Sequence, residues 1–191
     1  KRFIFEELFS FEIMVMEESS KRRTEKARPI RKDPGVGDLL RKGLPFALTS
    51  AQKRVIREIA DDLSSDRPMY RMLQGDVGSG KTIMAFLSMC WAALSGFQAA
   101  YMAPTETLAS QVFLRFSEMA QGLGIRTGLL LSSTRAAEKR KILEGLKDGS
   151  LKAAIGTHAL FQDGVEYGNL NLVVIDEQHR FGVRQRAALA G

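Results

Sequence analysis

Residues 72–82 read MLQGDVGSGKT, and the span Gly75 to Thr82 fits the pattern G-x-x-x-x-G-K-[ST] without a mismatch. Such a loop binds phosphate where a strand delivers it and a helix carries it away. Arg71 to Gln74 reads as a short strand and Lys81 to Ser95 as a helix, so both conditions are expected to hold. Gly78 and Gly80 let the backbone turn tightly, and the stretch Gly75, Asp76, Val77, Gly78, Ser79 and Gly80 can aim its N–H groups inward. Those donors and the positive end of the following helix suit a phosphate chain. Lys81 is placed to reach the β- and γ-phosphates, and the Thr82 hydroxyl to ligate Mg²⁺. The alternative is a structural glycine turn ahead of an amphipathic helix.

Outward from this loop the pattern is regular. Thr49 or Ser50 can cap a helix running to about Leu63. Ala99–Met102 and Arg126–Leu131 read as strands, with helices at Glu106–Gly122 and Ala136–Lys147 between and after them. Ala153–Ile155 is expected to be extended, and Leu172–Ile175 is an apolar strand. Strands alternating with helices predict an α/β fold, a parallel sheet with helices on both faces. In such sheets ligands collect at the carboxyl ends of the strands. The last strand ends there in Asp176, Glu177, Gln178, His179 and Arg180, a costly cluster unless it serves a cation or a reacting group. Asp176 can supply the second protein contact to Mg²⁺, and Glu177 can orient or deprotonate a water attacking the γ-phosphate. A pair of solvated acids opening a loop is the competing reading.

The remaining features bound the class. The chain carries 28 Lys and Arg against 22 Asp and Glu, a formal charge of +6 that favours polyanionic partners without proving them. Cys90 is the single cysteine, so no intramolecular disulfide and no cysteine metal cage can form, as in a reducing cytosol. Glu6, Glu7 and Glu12 interrupt the opening apolar run, which argues against a signal peptide, and 83–94 is too short to span a bilayer. A cytoplasmic protein with no membrane partner is expected. Residues 3–17 read as a helix packed on more than one side. Residues 19–45 gather Lys21, Arg22, Arg23, Lys26, Arg28, Arg31, Lys32, Arg41 and Lys42 beside Pro29, Pro34, Gly35 and Gly37. That stretch reads as a basic, breaker-rich, solvated linker, with a nucleic-acid patch as the alternative. The expected division is therefore 1–45 as helix and linker and 46–191 as the α/β lobe. No Asn-Lys-x-Asp stretch for guanine is present. LSGFQ (94–98) lies too near the phosphate loop to be a transporter-ATPase signature, and Gly96 there is expected to stop the helix.

Asp176-Glu177-Gln178-His179 resembles motif II of the superfamily-two helicases. LPFALTSAQKRVIREI, MLQGDVGSGKT, MAPTETLASQ, IGTHALFQDGV and LVVIDEQHRFGVRQR occur in the order found in the RecG family of bacterial branched-DNA helicases, after a leading helix of the KRFIFEELFSFEI type. The translocase of transcription-repair coupling factors is also similar, but usually shows Asp-Glu-Glu-Gln before Arg-Phe-Gly, so His179 favours the RecG family. The resemblance implies a RecA-like motor lobe that uses ATP and Mg²⁺, with Lys81, Asp176 and Glu177 in the hydrolytic roles. It implies that Gln52 reads adenine through its amide, with Phe46 near the base. It places Pro104, Thr105 and Glu106 (motif Ia), and Ser132, Ser133, Gly156, Thr157 and His158, on loops that touch the DNA backbone. His179 would link hydrolysis to the DNA side, and Arg180, Phe181, Gln185 and Arg186 would form a coupling loop.

The resemblance further implies a motif III and a second motor lobe with an arginine finger after Gly191, and a DNA-gripping wedge domain before Lys1. A chain that opens on Lys1 is expected of a piece cut from a longer enzyme, inert alone and acting on branched DNA such as stalled forks and recombination junctions. Two other classes stay open on the residues themselves: a nucleotide-binding module without turnover, and a non-enzymatic nucleic-acid adaptor using the basic linker.

Overall fold

The computed structural model describes residues 26–44 and 46–176. The expected leading helix, the cluster Lys21 to Arg23, and Glu177, Gln178, His179, Arg180, Phe181, Gln185 and Arg186 lie outside the described residues.

Four strands, β1 (Gln98–Met102), β2 (Thr127–Leu130), β3 (Ala153–Gly156) and β4 (Leu170–Ile175), form one sheet in the order β2-β3-β1-β4, every neighbouring pair parallel. The cores of β1, β3 and β4, AAYM, AAIG and LVVI, are near-continuous apolar runs, as strands of a parallel sheet between helices require. Five helices accompany the sheet among the described residues: α1 (Pro34–Lys42), α2 (Ser50–Leu63), α3 (Lys81–Leu94), α4 (Glu106–Gly122) and α5 (Ala136–Lys147). Side chains alternate across the sheet. Ala99, Tyr101, Ala153, Ile155 and Leu172 meet one apolar cluster with Phe86, Met89 and Cys90 of α3 and Ala109 and Phe116 of α4. Met102, Leu130 and Ala154 meet a second with Ile142 and Leu146 of α5 and with Leu160 of a 3₁₀ turn, His158–Phe161. The expected α/β arrangement with helices on both faces is thus realised.

The helix limits follow local chemistry. Thr49, not Ser50, caps α2: its Oγ1 accepts from Gln52 N at 3.2 Å while its own N–H donates to Gln52 Oε1 at 3.0 Å, a reciprocal capping box. Thr105 Oγ1 accepts from Leu108 N at 3.3 Å to open α4. Gly96, at φ +90°, ends α3 as expected, with Phe97 N bonded to Ala92 O at 3.0 Å. Phe86 and Phe116 lie edge to face at 5.1 Å, joining α3 to α4 over the sheet, and each such buried ring contributes about 1.5–3 kcal/mol. Burial beside them pushes the Cys90 thiol up to about 12, so it is unreactive near neutrality.

Two expectations are corrected. Arg71–Gln74 is not a strand and no β-ladder partner lies along it; β4 forms the sheet edge among the described residues. The Arg71 guanidinium instead bonds Asp62 at 2.7 Å and Glu58 at 2.8 Å, drawing this segment onto α2. Residues 26–44, although mostly exposed, are more than a solvated linker. Ile30 is fully buried, and its N–H donates to Leu63 O at 2.8 Å. Arg28 donates to Asn169 Oδ1 at 2.7 Å, and Asn171 Nδ2 donates to Arg28 O at 2.8 Å. Pro34 starts α1 rather than breaking a chain: it stands at the first helical turn, where its missing N–H costs nothing, behind Asp33, whose carboxylate accepts from Gly35 N at 2.8 Å. Arg41 and Lys42 fall in the last turn, where cations are favoured by the helix dipole.

Candidate functional site

The phosphate loop turns on two glycines in the left-handed region, Gly78 at φ +82° and Gly80 at φ +89°. Space constrains them differently. A Cβ on Gly78 would meet nothing within 4 Å, whereas one on Gly80 would stand 2.4 Å from Gln52 Nε2. A Cβ on Gly75 would lie 2.8 Å from Ser79 Oγ. Val77 is fully exposed at the tip, and Ser79 N donates to Asp76 O at 3.1 Å to close the turn. Gly80 is the N-cap of α3 and offers no side-chain acceptor, so the first-turn N–H groups keep their capacity for an anion. Over this loop the Lys81 ammonium folds back, donating to Gly75 O at 2.6 Å and Asp76 O at 2.8 Å. Thr82 is exposed in the same turn.

Gln52 reaches the loop from α2. Its Nε2 donates to Ser79 O at 3.1 Å while its Oε1 serves the capping box. One amide hydrogen and one lone pair stay uncommitted, enough for a two-point contact with a base edge. Phe46 is about half exposed beyond the start of α2. The contact between Gln52 and the loop has no sequence signal, since it joins residues 27 positions apart.

Asp176 stands just past β4. Its N–H donates to Met102 O at 2.9 Å, extending the ladder, and its Oδ2 accepts from the Tyr101 hydroxyl at 2.9 Å. Leu172 and Val174 face the α3 side of the sheet, so the two-residue period turns Asp176 to that side as well. That is the face covered by the helix whose first turn carries Lys81 and Thr82. Among the described residues no three His, Cys, Asp or Glu side chains gather as a metal cage. One carboxylate and one hydroxyl on the same face of the sheet is nonetheless a donor set that Mg²⁺ takes when phosphate and water complete its shell. The residues fit Mg²⁺-nucleotide.

The three expected DNA-facing loops follow β1, β2 and β3 and so lie together at the carboxyl end of the parallel sheet. Glu106 joins two of them: its Oε2 accepts from Ser133 Oγ at 2.7 Å and its Oε1 from Ser133 N at 3.1 Å. The Ser133 hydroxyl first, then backbone N–H groups of Ser133 and Ser132 and the nearby His158, hold the Glu106 carboxyl below the usual carboxylate range. Pro104 precedes the Thr105 cap. Thr157 is buried, and its Oγ1 has no hydrogen-bond partner among the described residues. Gly156 serves packing: a Cβ there would stand 2.1 Å from Leu130 O, on the neighbouring strand.

Residues 49–190 match the family model described as DEAD/DEAH box helicase. The chain belongs to that family. Within it, 99% of the chain is 47% identical to the ATP-dependent DNA helicase RecG of Aquifex aeolicus, and 99% is 44% identical to that of Thermotoga maritima. It covers 24% of each of these relatives, so it spans about a quarter of their length. A solved structure of RecG bound to a three-way DNA junction superposes with a TM-score of 0.85 at 43% identity, over 93% of this chain and 24% of that one. A hypothetical ATP-dependent RNA helicase from Sulfolobus tokodaii shares the fold alone, at a TM-score of 0.57 and 15% identity. The RecA-like lobe and its likeness to RecG are thus shown together. No helix among the described residues of this DEAD/DEAH lobe is long and apolar enough to cross a membrane.

Proposed function

We propose that this chain is the first motor lobe of a RecG-type, ATP-dependent DNA helicase that remodels branched DNA in the bacterial cytoplasm. The observation that carries the nucleotide reading is Lys81 folded over the Gly75–Gly80 loop, its ammonium satisfied by the Gly75 and Asp76 carbonyls. A polyphosphate offers that ammonium stronger, charged acceptors, so Lys81 exchanges loop carbonyls for β- and γ-phosphate oxygens. The uncapped first turn of α3 binds the same anion through its N–H groups. Gln52 holds the loop by its contact with Ser79 O and uses its spare amide hydrogen and lone pair on adenine, beside Phe46. Thr82 and Asp176 would hold Mg²⁺, which when bound draws charge off the phosphates. Glu177 orients the attacking water and takes its proton.

The DNA reading rests on the three loops at the carboxyl end of the sheet and on the likeness to RecG solved on a three-way junction. Thr105, Ser132 and the exposed His158 supply hydroxyl, backbone and imidazole donors to phosphates, contacts that position a strand without reading its sequence, while Ser133 is held by Glu106 and Thr157 is buried behind them. His179, with Arg180, Phe181, Gln185 and Arg186, couples hydrolysis to movement of that strand. The remaining motor lobe and a wedge domain belong to the same working machine. Glu177→Gln tests the division of labour: it keeps size and hydrogen bonding but loses the base, so a fluorescent ATP analogue binds as before while turnover in the two-lobe enzyme collapses. Wild-type turnover in that variant would place water activation elsewhere.

A further inference from the structure

We infer that Tyr101 is a positioning residue for the magnesium-facing carboxylate of Asp176, an inference that rests on the Mg²⁺-nucleotide reading above. Tyr101 is 3% exposed, and its hydroxyl donates to Asp176 Oδ2 at 2.9 Å across 75 residues of sequence. The other oxygen, Oδ1, has no hydrogen-bond partner among the described residues. A carboxylate on a two-bond side chain past a strand end is otherwise free to rotate. The Asp176 backbone is already clamped to Met102 O, so fixing Oδ2 fixes the whole group and leaves Oδ1 for a cation.

The ring of Tyr101 is held in turn by the helix that bears the other proposed ligand. Phe86 meets it edge to face at 6.4 Å and 66°. Phe86 stands four residues after Thr82 in α3, one turn along the same helical face. Thr82, Phe86, Tyr101 and Asp176 therefore form a continuous path from the first turn of α3 to the end of β4. Tyr101 sets the carboxylate relative to the helix, not only relative to its own strand. A buried phenol needs some hydrogen-bond partner, and a purely structural phenol would meet that need equally well with a backbone carbonyl.

Tyr101→Phe in the full chain keeps the ring and removes the hydroxyl. A fluorescent, non-hydrolysable ATP analogue is titrated at varied Mg²⁺, with thermal unfolding measured alongside. The Mg²⁺ midpoint for tight binding is expected to rise about tenfold, the lower end of what losing a partner behind a metal ligand costs, while affinity without Mg²⁺ is unchanged. Asp176→Asn is expected to raise the midpoint too, and adding Tyr101→Phe to it to change nothing more. A Tyr101→Phe chain that melts earlier but keeps its Mg²⁺ midpoint overturns the inference and leaves the role of Asp176 standing. An unmoved midpoint in Asp176→Asn overturns both.

Discussion

Gly80 separates two reasons for a glycine, backbone conformation and space, and a mutational cycle can weigh them. Gly78 and Gly80 both hold φ in the left-handed region, at +82° and +89°. An alanine there costs about 1–2 kcal/mol for the backbone alone. Gly78→Ala adds nothing to that, because its Cβ enters open space. Gly80→Ala also drives a Cβ to 2.4 Å from Gln52 Nε2 and 3.3 Å from Ile83 Cγ2. Gln52 must then leave Ser79 O, losing a hydrogen bond worth about 0.5–1.5 kcal/mol. Urea unfolding is expected to give about 1–2 kcal/mol of destabilisation for Gly78→Ala, and about 1.5–3.5 kcal/mol for Gly80→Ala. In a Gln52→Ala background the excess of Gly80→Ala over Gly78→Ala should shrink to what the Ile83 Cγ2 contact leaves. Equal costs for the two alanines in both backgrounds would refute the packing of Gln52 on the loop.

Two further perturbations probe the loops. Lys81→Ala removes a charge-assisted contact worth about 1.5–3 kcal/mol, so equilibrium titration should show ATP-analogue affinity falling by about tenfold to 150-fold, with the melting temperature little changed because its present acceptors are exposed loop carbonyls. Glu106 has a folded pKa depressed by Ser133, so its stabilising effect is present above its unfolded value and is lost as pH falls through the folded one; Glu106→Gln should flatten the acid limb of the unfolding profile below the ordinary carboxylate range, and an unchanged limb would remove the Glu106–Ser133 tie.

Periodicity and capping chemistry made α2 to α5 and the parallel sheet readable in the sequence, because each element is dictated by its own residues. Pro34 misled because a proline both ends and starts helices; Asp33 before it was the start signal. Arg71–Gln74 misled because a strand exists only with a ladder partner, and the ion pairs of Arg71 to Glu58 and Asp62 act across space. The site divided in the same way. Gly75 to Thr82 was legible as a contiguous motif, while Tyr101 on Asp176 and Gln52 on Ser79 are side-chain contacts between distant segments. Gln98 is a third case: a fully buried amide that donates to Leu146 O and Leu151 O, each at 2.8 Å, and accepts from Asn169 N at 2.7 Å. Nothing in the local pattern distinguishes it from a solvated glutamine at a strand start.

The motor-lobe account is tested most directly by steady-state ATP turnover with three-way-junction DNA, compared between residues 1–191 and the same chain joined to a RecG-type second lobe. An arginine finger contributes about 10³- to 10⁵-fold to phosphoryl transfer, and the account places it on the second lobe. Turnover near background for residues 1–191, and DNA-stimulated turnover abolished by Lys81→Ala in the two-lobe chain, is the predicted result. Robust DNA-stimulated hydrolysis by residues 1–191 alone, or two-lobe turnover indifferent to Lys81, would contradict it.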